Sequence, residues 1–270
     1  MKRAIILPMV VMALVTLSCA FLGNLGRALQ AEATPVPLPT GVLPMEPTPT
    51  LMLPSPQPTS PPPPMQSPEP PRGGTYFVEE FDGSVDDWSY NILSGNEKNI
   101  VRYQEGGRMV VSLPDPGAYV YFFNESYTYG DIYVQARYEN LGDNNNGVTL
   151  ICRRNPKGWY EFRVGSNGRW SVYRFDQSQK DRKRIPYTLL AGTYSSIAIN
   201  AGVNKLNNIG MKCVGNEIRL FINGEEIIQP NKRPILDNEY TEGHVGFAII
   251  SEGASRGVLV EMDYVGVDAP

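Results

Sequence analysis

The chain has few of the residues from which most catalytic and metal centres are made. Its 270 residues include one histidine, His244, and three cysteines, Cys19, Cys152 and Cys213. A Ser-His-Asp or Cys-His arrangement, or a histidine zinc site, would have to rest on His244 alone, so the sequence predicts a structural or solvated role for it and no catalytic residue. Basic surplus is also missing: 24 Lys and Arg stand against 28 Asp and Glu, a formal charge of −4. Phosphate backbones demand the opposite balance, so nucleic acid is excluded as a partner. No stretch sustains the 3.6-residue apolar period of a helix, which leaves an all-β domain.

Proline is abundant but confined. Of the 24 prolines, 16 lie between Pro35 and Pro71. Proline locks φ and removes a backbone donor, so this stretch can form neither helix nor sheet ladder. The sequence predicts an extended Pro/Thr-rich disordered linker, at about 3.1 Å per residue a spacer on the order of 100 Å long. What remains from residue 75 to 270 is enough for one sandwich with a full core.

Ahead of the linker, Lys2 and Arg3 precede an apolar run from Ala4 to Leu17 that ends at Ser18-Cys19. Two cations before a short apolar core mark a secretory signal. A small residue directly before a cysteine resembles the lipobox of bacterial lipoproteins. That resemblance implies a signal peptide over residues 1–18, diacylglycerol on Cys19 and a lipid-anchored linker over 19–74. Two other outcomes stay open: an uncleaved anchor over Ala4–Leu22, and cleavage after Ala31-Glu32-Ala33. All three place the domain outside the cytoplasm; lipidation places it on the outer face of the bacterial cell membrane.

From Tyr76 onward, short β-runs are punctuated by turn residues. Strands are predicted over 76–81, 108–113, 118–123, 131–138, 147–153, 159–164, 169–175, 196–200, 209–213, 218–222, 244–250 and 258–265, with Ser166-Asn167-Gly168 and Asn223-Gly224 as hairpin turns. A dozen such runs in under 200 residues give a sandwich or barrel. The basic run Lys180-Asp181-Arg182-Lys183-Arg184 reads as a solvated loop, and Asp143-Asn144-Asn145-Asn146-Gly147, with a single anionic side chain, as a turn rather than a calcium loop.

A family comes into view in Phe81-Asp82-Gly83, Asp87-Trp88, Leu220-Phe221-Ile222-Asn223-Gly224, Gly243-His244-Val245-Gly246-Phe247 and Met262-Asp263-Tyr264-Val265-Gly266. Together these resemble the concanavalin A-like, laminin-G-like jelly rolls of bacterial exported proteins, a fold related to the 3-keto-disaccharide hydrolase group. The resemblance implies a two-sheet antiparallel jelly-roll β-sandwich over nearly all of residues 76–268. It leaves activity open, because this fold hosts lectins, adhesive modules, glycosidases and spacers. The retaining β-glucanases of this fold carry Glu-x-Asp-x-x-Glu. The nearest stretch, Glu261-Met262-Asp263, has Gly266 in place of the last carboxylate.

Strand alternation supplies the remaining expectations. If the strands over 131–138, 147–153 and 159–164 are neighbours, one polar-aromatic face gathers Tyr133, Gln135, Arg137, Arg153, Trp159, Glu161 and Arg163. Flat aromatics beside hydrogen-bonding groups suit a sugar or peptide, although an ordinary solvent face of a sheet alternates in the same way. Alternation also turns Cys152 and Cys213 inward, and an even pair outside the cytoplasm invites a disulfide. The expected function is a surface-tethered, non-catalytic recognition module, with a glycan as ligand and membrane lipid as the partner of Cys19. No cofactor or metal is expected. Two rivals remain: a glycoside-active enzyme of the keto-disaccharide hydrolase type, and an envelope protein that uses the sandwich for protein contacts.

Overall fold

The computed structural model describes residues 75–253 and 256–270. The signal peptide, Cys19 and the Pro/Thr-rich linker expected from the sequence lie outside the described residues. In chain order the strands begin β1 Phe77–Glu79, β2 Trp88–Ser94, β3 Val101–Gln104, β4 Met109–Leu113, β5 Tyr119–Tyr129 and β6 Ile132–Asn140. They continue β7 Asn146–Asn155, β8 Gly158–Gly165, β9 Arg169–Asp176, β10 Tyr187–Ser195 and β11 Lys205–Val214. The last are β12 Glu217–Ile222, β13 Glu225–Ile227, β14 Ile235–Leu236, β15 Gly243–Ser251 and β16 Val258–Asp268.

The strands form two antiparallel sheets, a jelly-roll sandwich. The nine-stranded sheet runs β13-β12-β11-β6-β16-β4-β3, with β1 beside β16 and β14 beside β12. The seven-stranded sheet runs β10-β9-β8-β7-β15-β5-β2. Period-two alternation decides which face each strand buries. In β6, Ile132, Val134, Ala136 and Tyr138 are sealed in the core while Tyr133, Gln135, Arg137 and Glu139 face away from it. In β8, Tyr160, Phe162 and Val164 face the same core from the opposite sheet. Stacked Phe122 and Phe247, with ring centroids 4.6 Å apart, and Trp88 set edge-on to Phe247 fill one end of it.

Turn chemistry behaves as the residues require. Asn223 and Gly224 hold φ of 51° and 86° between β12 and β13, the paired positive values of a tight hairpin. Residues 196–200, expected as a strand, form a turn instead. The Ser196 hydroxyl accepts the Ala198 N–H, and Ile197 projects fully into solvent. The alternating Ile197 and Ile199 imitate a strand, but nothing pairs with them. The neighbouring stretch Tyr187–Ser195 is the real edge strand β10, disguised in the sequence by two register shifts against β9. The basic run after β9 carries a one-turn helix, α1 Gln177–Asp181, capped by the Asp176 carboxylate, and its charges are solvated.

Cys152 of β7 and Cys213 of β11 are joined by a disulfide with Cα atoms 6.8 Å apart, both side chains sealed from solvent. It is a covalent tie between the two sheets. Close by, the Asp237 carboxylate accepts hydrogen bonds from the Tyr160 hydroxyl and the Arg174 guanidinium, each at 2.7 Å. Burial by itself works against the charge on Asp237. The hydrogen bonds from Tyr160, the Glu239 backbone N–H and Arg174 outweigh it and hold its pKa below the ordinary aspartate value. A depressed folded-state pKa gives stability that is present above the unfolded value, about 3.9 for aspartate, and lost as pH falls through the folded one. Asp237→Asn is therefore expected to destabilise the protein at neutral pH, with the difference from wild type shrinking as the pH drops below about 4. Urea melts of both proteins across that range check it; a pH-independent difference would count against the ionised role.

Candidate functional site

The face expected from the sequence is divided by the fold. Tyr133, Gln135 and Arg137 lie on β6, whose neighbours are β11 and β16 in the nine-stranded sheet. Trp159, Glu161 and Arg163 lie on β8 between β7 and β9 in the other sheet. The two trios therefore occupy opposite outer surfaces of the sandwich. Strand adjacency, which alternation cannot supply, was the missing fact: β6 and β7 are consecutive in sequence but cross from one sheet to the other.

Arg153 belongs to neither surface. A bulge breaks the β7 register between Cys152 and Asn155, and Arg153 takes φ of 55°, so its side chain leaves the face shared by Thr149 and Ile151. Its guanidinium group is buried at one end of the sandwich. There it donates to the carbonyls of Gly130, Gly215 and Tyr240 and pairs with Asp131 at 3.2 Å. It clamps three loops and is not available to a ligand.

On the nine-stranded sheet, the Tyr133 ring meets Phe221 edge-on at 5.8 Å with Lys212 over both, and Gln135 donates to Asp268. Arg137 pairs with Asp263, and Arg108 bridges Glu261 and Asp263. The carboxylates of the partial glucanase motif are thus tied up in a solvent-side ion-pair ladder. His244 places Nδ1 2.8 Å from the Tyr127 carbonyl oxygen. Among the described residues no cluster of three His, Cys, Asp or Glu side chains is placed to hold a metal ion. Around the expected Asp143–Gly147 turn, Asn146 donates instead to the Asn140 side chain and the Asp143 carbonyl.

The outer face of the seven-stranded sheet is the more unusual surface. It carries a second apolar layer, separate from the main core: Tyr121, Phe123, Ile151, Trp159, Phe175 and Ala248. Trp159 stacks on Phe175 with centroids 3.8 Å apart and is itself buried, so it is a packed side chain rather than an open sugar platform. Within this layer sits a sealed carboxylate. Glu161 is 0% exposed and accepts from Trp159 Nε1 at 2.6 Å, the Tyr121 hydroxyl at 3.0 Å and Arg163 Nη2 at 3.0 Å. A buried anion needs this degree of compensation.

Arg163 is the counter-charge, and its surroundings define the site. The rings of Tyr173, Tyr187 and Tyr119 surround its guanidinium at 4.7, 5.4 and 5.6 Å. A second carboxylate, Glu252, lies 3.4 Å from Nη1. Burial alone disfavours the charge on Arg163, but Glu161 and the tyrosine hydroxyls more than offset this and raise its pKa above the ordinary arginine value. Burial also pushes up the Tyr121 and Tyr187 hydroxyls, which hydrogen-bond each other at 2.7 Å and stay protonated. The stem of Arg163 crosses Gly147, where a Cβ would stand 3.2 Å from Arg163 Cγ, so that any larger residue there would press on the arginine stem. One donor is left over. Arg163 is 8% exposed, yet Nε has no hydrogen-bond partner, and neither does the buried hydroxyl of Thr149, its cross-strand partner. Arg163 lines a pocket of about 200 Å³ together with Asn167, Arg169, Ser171, Tyr173 and Glu252.

This layout on two antiparallel sheets has counterparts among solved structures. A prokaryotic beta-1,3-1,4-glucanase (lichenase) derived from a mouse hindgut metagenome superposes with a TM-score of 0.52 at 14% identity, covering 73% of this chain and 100% of the glucanase. The carbohydrate binding module CBM66 from Bacillus subtilis gives 0.50 at 13% identity over 68% of this chain and 96% of the module. The fold is a concanavalin-like jelly roll. At such identities the likeness concerns the fold and not the site. No protein-family model matches the sequence, and no curated protein does. Sequence reasoning had named Glu161 and Arg163 but missed Tyr119, Tyr173, Tyr187 and Glu252. Period-two spacing puts Tyr119 on the face of Tyr121 and Phe123, and Tyr173 on that of Phe175. That signal was usable, but only once the strand order was known.

Proposed function

We propose that the chain is a surface-tethered recognition module that binds carbohydrate at the Arg163 pocket, on the outer face of the seven-stranded sheet. The observation that carries this is Arg163 itself. A guanidinium held rigidly by two carboxylates and three tyrosines stands at the wall of a polar pocket, the kind of pre-organised group that fixes ligand orientation. Aromatic walls next to such a donor suit the alternating apolar and hydroxyl faces of a sugar. That a carbohydrate binding module and a glucanase share the fold fits this reading. Tethering rests on the lipobox-like Ser18-Cys19 and the proline-rich stretch behind it.

A glycoside-active reading has one observation in its favour. Arg163 brings two carboxylates, Glu161 and Glu252, to one guanidinium, and glycoside hydrolysis uses a carboxylate pair; of the two, Glu252 lines the pocket and Glu161 is sealed from solvent. A glycan array on the purified protein, followed by assay of reducing-sugar release from every hit, separates the readings. Binding without release is expected. Release that disappears in Glu252→Gln would establish the enzyme, and an array without hits would end both. In cells, Cys19→Ala is expected to free the protein from the membrane fraction or leave it unprocessed; unchanged attachment and mature mass would rule out the lipid anchor.

A further inference from the structure

We propose that the end of the sandwich opposite the Arg163 pocket docks on an anionic lipid surface through Arg182, Lys183, Arg184 and Ile185, and so turns the pocket outward. This goes beyond the carbohydrate reading and rests only on the tethering part of it, which supplies the membrane.

The fold displays these side chains on a closed loop. After α1, the Lys183 and Arg184 N–H groups donate to the carbonyls of Lys180 and Gln179 at 2.8 and 2.9 Å, with Lys183 at φ of 56°. The Asp176 N–H donates to the Pro186 carbonyl at 2.8 Å and closes the loop at its base. Arg182, Lys183 and Arg184 are exposed, and among the described residues neither they nor Lys180 have an ion-pair partner. Ile185, next to them, is 83% exposed, and Leu189 of β10 is 50% exposed. Cations beside an exposed aliphatic side chain match a membrane interface, where headgroup phosphates meet the charges and the acyl boundary receives the isoleucine. A dissolved polyanion would match the charges alone.

Carboxylates at this end do not cancel the run. Glu125, Asp131 and Asp237 are paired with Arg154, Arg153 and Arg174. Asp181, Glu239 and Glu242 are exposed, but they face Lys157 as well as the cations of the run. Asp86 and Asp87 lie by β2, at the far edge of the sheet.

Strand register fixes what shares an end with what. Gly158 of β8 is opposite both Asn155 of β7 and Asp176, the residue before α1. Arg154 is opposite His244, Gly243 is opposite Tyr129, and the Tyr129 hydroxyl donates to the Thr75 carbonyl at 2.6 Å. Thr75, where the described domain begins and the expected linker ends, thus lies at the end that carries the basic run. The pocket is at the other end, where its Gly165 is opposite Gly147. The 8 residues of β9 run from Arg169 at the pocket to Asp176, and at about 3.3 Å each they separate the two sites by roughly 25 Å.

The full-length protein carries its own probes, because its three tryptophans, Trp88, Trp159 and Trp170, are all in the domain. Protein purified from membranes is reconstituted into vesicles of phosphatidylcholine, with or without phosphatidylglycerol, each with a trace of dansyl-labelled lipid. Energy transfer from tryptophan to dansyl reports a domain lying on the surface. Strong transfer is expected with phosphatidylglycerol at low salt, and weak transfer with phosphatidylcholine alone or at high salt. In the triple variant Arg182→Ala, Lys183→Ala, Arg184→Ala the docked-to-free ratio is expected to fall about a hundredfold, about fivefold for each cation, with glycan binding unchanged. Equal transfer in both lipids, or transfer that survives the triple change, overturns the proposal and leaves the carbohydrate reading standing. Unchanged transfer in Ile185→Ser would mean that the patch reads charge alone, and would overturn the assignment to lipid in favour of an anionic polymer. Protein that does not incorporate into vesicles at all refutes the tether instead.

Discussion

Arg153→Ala is expected to lower the unfolding free energy by about 3–5 kcal/mol, the range for removing one partner from a buried charge network. The side chain is 1% exposed and satisfies three backbone carbonyls, those of Gly130, Gly215 and Tyr240, which no other side chain among the described residues reaches. Without it the three carbonyls lose that donor, and Asp131, whose Oδ1 also accepts the Gly215 N–H, loses its cation. Arg154→Ala, one residue on, is the control. It removes a partly exposed pair with Glu125 and is expected to cost under about 1 kcal/mol. Urea denaturation of the two variants decides the matter. Equal, small effects would mean that Arg153 is a surface residue after all. From its sequence spacing Arg153 looks like a binding residue whose loss should spare the fold, as does Trp159. The structure reverses both expectations, since Trp159→Ala would empty a stack 3.8 Å deep against Phe175.

The second large effect belongs to the disulfide. Cys152 and Cys213 stand 61 residues apart in sequence, and closing a loop of that length stabilises by about 4 kcal/mol in the chain-entropy model. The bond also joins the two sheets directly, β7 to β11. The Cys152→Ala, Cys213→Ala double variant is therefore expected to unfold at markedly lower urea. The larger slope expected of an unfolded state freed from its cross-link would accompany the shift. Native protein treated with an alkylating reagent should show neither thiol modified before reduction. Modification of both in the unreduced protein would remove the bridge from the account, leaving two small buried hydrophobes.

How much of this could be read without coordinates depends on how far each signal reaches along the chain. The all-β class, the hairpin at Asn223-Gly224 and the in-or-out sense of β6, β7 and β8 up to Cys152 follow from local rules: the side-chain period of a strand is two, and tight hairpins need positive φ. The confinement of proline to residues 35–71 and the lipobox-like Ser18-Cys19 are equally local, and they set the expectation of an exported, tethered domain. The Arg163 site was half legible. Alternation put Trp159, Glu161 and Arg163 on one face, and the structure keeps them there. It also grouped them with Tyr133, Gln135 and Arg137, which the fold places on the other side of the sandwich. The bulge after Cys152 turned Arg153 inward, because one extra residue reverses the alternation beyond it. Tertiary structure alone decided which strands are neighbours, and hence that Glu252 and three tyrosines from β5, β9 and β10 would meet at one guanidinium. Sheet order is set by burial summed over the whole core, whereas periodicity reports only which way a single strand faces.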